Sequence, residues 1–183
     1  MYHISNDKRA YNSANKICNA MMESLKSKNF TDITVTDLQK ISKTGRATFY
    51  RLFDNTADVL SYLCDKVFIE AGKEFAKINS PTADKTTLCF IEKCMENKTL
   101  LTAIVESNRI DFLHNAHKKF FELGQIYFFP NLNKEELTYI TTTLTACTCA
   151  FIISWIKNGS RETPKELQEK LKMCYKTLGK IFE

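Results

Sequence analysis

The most coherent chemistry in this sequence sits on five residues, Arg46, Ala47, Thr48, Tyr50 and Arg51, packed within six positions. An arginine presents a planar fork of donors that matches a guanine edge or a phosphate. A threonine methyl and an alanine methyl fit against thymine, and a phenol donates to a phosphate oxygen. Short side chains between longer donors suit a surface that must enter a duplex groove ~12 Å wide. Other chemistries find weaker support. Seven cysteines at 18, 64, 89, 94, 147, 149 and 174 include no C-x-x-C pair. Cys147 and Cys149 lie two apart and would point to different faces of a helix. His114 and His117 could share a face but have no third ligand nearby in sequence. No nucleophile–base pairing and no phosphate loop is present. The expectation is a binding protein with no cofactor and no metal, not an enzyme.

Those five residues need a rigid support. Thr34 and Asp37 form a T-x-x-D helix start, followed by the apolar stripe Val35, Leu38, Ile41. Ser42-Lys43-Thr44-Gly45 interrupts it. A short helix over 46–53 then places Phe49 and Phe53 inward, four residues apart, and leaves the five recognition residues outward. Ahead of this pair, Ala14, Ile17, Cys18, Met21, Met22 and Leu25 predict a helix over 13–28. After it, Asn55-x-x-Asp58 starts a helix that runs to about Ile78. Thr34, Thr36, Lys43 and Asn55 complete the candidate duplex contacts, as hydroxyl, cation and helix-start groups that could meet phosphates.

The whole chain fits that reading. It has 183 residues with 5 Gly and 3 Pro, too few turn formers for an all-β protein. Net charge is +5. Residues 1–56 hold nine basic and five acidic groups, so nearly all of the excess lies in the first third, as a polyanion partner at one end would require. The odd cysteine count suits a reduced, cytoplasmic protein. The first residues lack the apolar core of a signal peptide, and the longest apolar run, near Ala146–Ile156, is shorter than a membrane span. Further helices are expected over 82–97, 99–107, 109–129, 134–157 and 164–182. Asn133/Glu136 and Thr163/Glu166 start the last two. The fold class is all-α, with about nine helices.

The run T-V-T-D-L-Q-K-I-S-K-T-G-R-A-T-F-Y-R-L-F over 34–53 resembles the DNA-binding pattern of the TetR/AcrR regulator family, roughly T-V-x-D-I-A-x-x-A-G-V-S-x-A-T-F-Y-x-x-F. The match needs no gap, and R-A-T-F-Y-R-x-F is its most distinctive part. The likeness covers residues of about 9–70. It departs in the turn, where Lys43-Thr44-Gly45 replaces Gly-Val-Ser, and at Thr56, where the family carries a lysine.

The resemblance implies a three-helix helix-turn-helix domain over 9–70 and a C-terminal ligand-binding and dimerisation domain over 71–183. It implies a homodimer on a palindromic double-stranded operator and repression relieved by a small apolar or amphipathic effector. Candidate effector contacts are Phe90, Cys94, Ile104, Phe112, His117, Phe120, Phe121, Cys147, Phe151 and Trp155. Candidate dimer contacts on the last two helices are Leu144, Thr148, Ile152, Trp155, Leu171, Tyr175 and Leu178, although the same stripes could form one chain's own core. The alternative is a relative that keeps the fold but acts as a co-activator or adaptor through a protein partner.

Overall fold

In a computed structural model of the chain, which describes residues 2–4, 7–78, 82–128 and 131–180, nine α-helices follow one another and no strand occurs among the described residues. They are α1 (Lys8–Ser24), α2 (Val35–Ser42), α3 (Arg46–Leu52), α4 (Thr56–Ala76), α5 (Ala83–Glu96), α6 (Lys98–Glu106), α7 (Ile110–Phe128), α8 (Lys134–Lys157) and α9 (Pro164–Lys180). A 3-10 turn over Phe30–Asp32 links α1 to α2.

Helix ends follow local chemistry. Thr34 and Asp37 cap α2 reciprocally, Asn133 and Glu136 do the same for α8, and Thr163 Oγ1 accepts from the Glu166 amide ahead of α9. One start differs from the expectation. α1 begins five residues before position 13, because Asp7 caps it by accepting from the Arg9 amide. The apolar stripe alone marks where a helix is buried and misses its solvated first turn.

Two compact units divide the chain: residues 1–66 with 99–112, and residues 67–98 with 113–183. In the first, α1 packs on α2 and α3. Ala14, Ile17 and Met21 recur at helical spacing on α1 and are fully buried, as are Leu38 of α2 and Phe49 and Phe53 around α3. In the second, α5 packs on α9, where the Gln168 amide donates to the Asp84 carbonyl at 2.6 Å.

The α8 stripe is mostly buried within the single chain. Of the residues expected to face a partner, Thr148, Ile152, Trp155 and Leu171 are buried within the single chain. Leu144 and Tyr175 are half-buried and Leu178 is exposed. Thr148 is held there by a 2.6 Å hydrogen bond to the Tyr175 hydroxyl. The other side of α8 is solvent-facing yet uncharged, with Tyr139, Thr142, Thr143, Ala146, Ala150 and Ser154 exposed. No charged residue occurs from Leu137 to Ile156, a longer stretch than the run at 146–156. α8 is therefore long and apolar enough by composition to cross a membrane, a test that core helices of soluble proteins also pass.

Candidate nucleic-acid interface

Recognition by a seven-residue helix requires that something else fix it, because so short a helix has little stability of its own. The fixing starts in α2. The Thr34 hydroxyl accepts from the Asp37 amide at 3.1 Å and donates to the Asp37 carboxylate at 2.7 Å. The Thr34 backbone N–H also donates to that carboxylate, at 3.0 Å. These bonds, together with Lys28 at 3.2 Å, lower the Asp37 carboxyl to about 2. Asp37 thus stays ionised at the positive end of α2.

The turn then reverses the chain. Lys43 takes left-handed angles, φ 54 and ψ 33, where the resemblance led one to expect a glycine. Gly45 has φ −71 and ψ 156, which any residue adopts, and it caps α3 with no side-chain bond. The left-handed position costs a side-chain-bearing residue roughly 1–2 kcal/mol. The Ser42 and Thr44 hydroxyls bond each other at 2.7 Å across the bend.

α3 lies between a buried and an open side. Phe49, Leu52 and Phe53 are buried, and the rings of Phe49 and Phe53 meet at 5.9 Å. Arg46, Ala47, Tyr50 and Arg51 are exposed, and Thr48 is half-exposed. The five residues singled out by sequence thus share one solvent-facing side. The Arg46 guanidinium lies 5.6 Å from the Tyr50 ring centre, a cation–π distance. Leaving that ring for a base edge costs roughly 0.5–1 kcal/mol at an exposed site, less than the roughly 1–3 kcal/mol a good bidentate base contact supplies.

The remaining candidates divide. Thr36 and Lys43 are exposed and free to meet a phosphate. Thr34 is a cap whose hydroxyl proton goes to Asp37. Asn55 Oδ1 accepts from the Asp58 amide at 3.0 Å and so starts α4, a bond that does not use its amide donors. Two residues that the sequence did not mark, Tyr2 and His3, reach the far end of α3. Tyr2 pairs with Phe53 as an isolated antiparallel bridge, and the His3 amide donates to the Leu52 carbonyl at 2.8 Å. Neither residue belongs to a periodic pattern, so their contacts had no sequence signal.

The effector candidates also divide. Phe90, His117 and Phe120 gather in the second unit with Phe68, which the sequence showed only as part of a helix stripe. Ring centres lie 5.2 Å apart for Phe90–His117 and 5.7 Å for Phe90–Phe120. His117 Nδ1 lies 3.1 Å from the Thr145 hydroxyl. Burial, then the neighbouring His114, pushes the imidazole down to about 4, so it is neutral at pH 7. Cys94 and Trp155 are buried in the same unit, and the Trp155 Nε1 and Thr141 Oγ1 atoms are buried without a hydrogen-bond partner. Cys147 and Phe151 are half-buried. Ile104 is buried and Phe112 half-buried in the first unit, not the second. The Phe121 side chain lies outside the described residues. Among the described residues no group of three or more His, Cys, Asp or Glu could hold a metal ion.

No protein-family model matches the chain, and no curated protein matches it. Solved structures do. Lin0861 from Listeria innocua superposes with a TM-score of 0.78 over 96% of both chains at 15% identity. A TetR-family transcriptional regulator from Syntrophomonas wolfei gives 0.64 over 92% of this chain and 95% of that one, at 19% identity. The dihydroxyacetone kinase operon activator DhaS gives 0.62 over 93% and 98%, at 21% identity. The fold of this chain is therefore the all-α fold of TetR-family regulators, over nearly its whole length.

Proposed function

We propose that this chain is a sequence-specific DNA-binding transcriptional regulator. It acts as a cytoplasmic homodimer on a palindromic operator, and a small apolar or amphipathic effector lowers its affinity and relieves repression. One observation carries the reading: the outward side of α3, with Arg46, Ala47, Thr48, Tyr50 and Arg51, stands open on a helix whose other side is buried on Phe49, Leu52 and Phe53. Arg46 and Thr48 read bases. Tyr50, Arg51, Lys43 and Thr36 hold phosphates and set register. Residues 9–70 form the DNA-binding part and 71–183 the dimerisation and effector part.

Pairing is supported by the uncharged outer side of α8 and by its neighbour. Tyr139 and Ile140 on α8, with Met173 and Leu178 on α9, are exposed large apolar residues. Such a surface is commonly covered by a partner. Two-fold pairing sets two α3 helices about one duplex turn apart, ~34–36 Å or a somewhat larger spacing, so the operator is symmetric.

The test is an electrophoretic shift with the duplex upstream of the chain's own gene, against a scrambled duplex of equal length. Wild type should retain the first selectively, and Arg46→Ala and Tyr50→Ala should each lose about fivefold or more. Equal binding by wild type and both variants would remove α3 as the reader. A second reading, a co-activator acting through a protein partner, draws on the departures at Lys43 and Thr56 and on the likeness to an operon activator. It predicts a stable protein partner on pull-down and no DNA retention at low salt.

A further inference from the structure

The seven-residue helix α3 has unequal ends. Its N-terminal end is capped by Gly45 without a side-chain bond, behind a turn strained at Lys43. Its C-terminal end is held from outside. The His3 amide donates to the Leu52 carbonyl at 2.8 Å, satisfying one of the carbonyls a helix end leaves open. Tyr2 lies across Phe53 in an antiparallel bridge. Its ring meets Tyr62 edge-on at 5.1 Å, and its hydroxyl donates to the buried Asp65 carboxylate at 2.5 Å. From there the rings are continuous: Tyr62 meets Phe53 at 5.9 Å, Phe53 meets Phe49 at 5.9 Å, Phe49 meets Tyr50 at 5.5 Å, and Arg46 lies over Tyr50. One packed row thus joins Tyr2 to the guanidinium proposed to read the duplex.

We infer that Tyr2 and His3 form a strap that fixes the recognition helix, and that Tyr2 is a positioning residue for operator recognition. The inference rests on the DNA-binding reading above. The role assigned to the strap is support of α3, not contact with bases or phosphates. It limits the rocking of α3 about its weak N-terminal turn. The strength lies in Tyr2 and the backbone pairing. The His3–Asp54 contact at 3.1 Å is about half exposed on both sides, and such pairs contribute little. Burial and the Asp65 carboxylate both raise the Tyr2 phenol well above its ordinary value, so it remains a donor at any working pH.

The full chain is compared with Tyr2→Phe, Tyr2→Ala and Arg46→Ala by fluorescence anisotropy, on the duplex upstream of its gene and on a scrambled duplex. Unfolding by urea is followed in parallel, and binding is measured where each variant is folded. Tyr2→Ala should lose about tenfold on the upstream duplex and keep its affinity for the scrambled one, so that the ratio falls. Tyr2→Phe, which keeps the ring and loses the hydroxyl, should fall between. Amide exchange without DNA gives an independent measure. In Tyr2→Ala the Tyr50 and Phe53 amides should exchange about tenfold faster, with those of α1 unchanged. Should Tyr2→Ala fail to fold, Tyr2→Phe is held to the same measurements with smaller changes. Unaltered ratio and exchange in the Tyr2 variants, beside a lost ratio in Arg46→Ala, would overturn the strap and leave DNA binding standing. No discrimination by wild type would overturn both.

Discussion

Lys43 and Gly45 make a case in which stability and DNA affinity should move in opposite directions. Lys43 holds the left-handed angles of the turn, and Gly45 holds angles open to any residue. A Cβ at Gly45 meets nothing within 4 Å. Gly45→Ser should therefore add a cap worth a few tenths of a kcal/mol over glycine and remove unfolded-chain freedom worth about 0.4–1 kcal/mol. The expected gain is about 1 kcal/mol. At Lys43, glycine relieves roughly 1–2 kcal/mol of backbone strain but restores about 0.4–1 kcal/mol of unfolded-chain entropy, for a net gain of about 0.5 kcal/mol. The double variant should gain about 1.5 kcal/mol, less any coupling between positions two apart. At roughly 2–4 °C per kcal/mol for a chain of this size, Tm rises about 3–6 °C. Urea unfolding monitored by circular dichroism should show a higher midpoint at unchanged slope. Binding should respond differently. Lys43→Gly removes one cation beside α3, so affinity for the upstream duplex should fall and the salt slope should flatten by about 0.9. Gly45→Ser alone should leave that slope as it is. A lower urea midpoint for Lys43→Gly would refute the strain argument. A raised midpoint with an unchanged salt slope would refute the phosphate role of Lys43 while sparing the strain argument.

Four other outcomes are expected. The folded His117 imidazole sits near 4, below the unfolded value of about 6.5, so the unfolded chain binds more protons between those values and stability is lost as pH falls through that window. The loss from this group alone reaches about 2 kcal/mol by pH 5, and His117→Asn should flatten the pH dependence of the urea midpoint over that range while lowering stability at pH 7. Phe49→Ala, at a fully buried site, should cost about 3–5 kcal/mol by urea unfolding and abolish operator binding with it. Thr34→Ala should cost about 1 kcal/mol through loss of the α2 cap, yet leave the salt dependence of DNA binding unchanged, because the hydroxyl is already committed to Asp37. Arg46→Ala should lower operator affinity by about 1–3 kcal/mol and relax the preference at one base position, read out by competition with single-substituted duplexes.

The legible parts of the sequence were those that repeat. Helical spacing of apolar residues, helix-start pairs such as Thr34/Asp37 and Asn133/Glu136, and the scarcity of Gly and Pro suffice to read nine helices, and their limits mostly agree with the structure. The outward side of α3 was legible for the same reason, since Phe49 and Phe53 define an inside and Arg46, Thr48 and Tyr50 must then lie outside. What escaped depends on contacts distant in sequence. Tyr2 meets Asp65 sixty-three positions away, and nothing local announces it. The direction of the α8 stripe escaped as well. Periodicity shows that Thr148, Ile152 and Trp155 share a side, but whether that side meets the chain's own helices or a second copy depends on tertiary packing. Thr34 and Asn55 show a third limit. Both cap helix starts through an oxygen, because an uncapped amide is costly, and Thr34 also gives its hydroxyl proton to Asp37, while the cap leaves the Asn55 amide donors unused.

The same logic explains how a chain can share this fold with Lin0861 at 15% identity over 96% of its length. A three-helix unit asks only that apolar residues recur where α1, α2 and α3 meet and that turns and caps be chemically competent, and many residues satisfy each demand. The turn before α3 shows that tolerance at work: the left-handed position is filled by Lys43 and the glycine stands two residues on. The cost of roughly 1–2 kcal/mol is small enough for the core behind Phe49 to absorb. A residue that strains the turn before α3 leaves the helix in place only if other contacts hold it. In this chain the hold is at the opposite end, where the backbone of Tyr2 and His3 closes on Leu52 and Phe53.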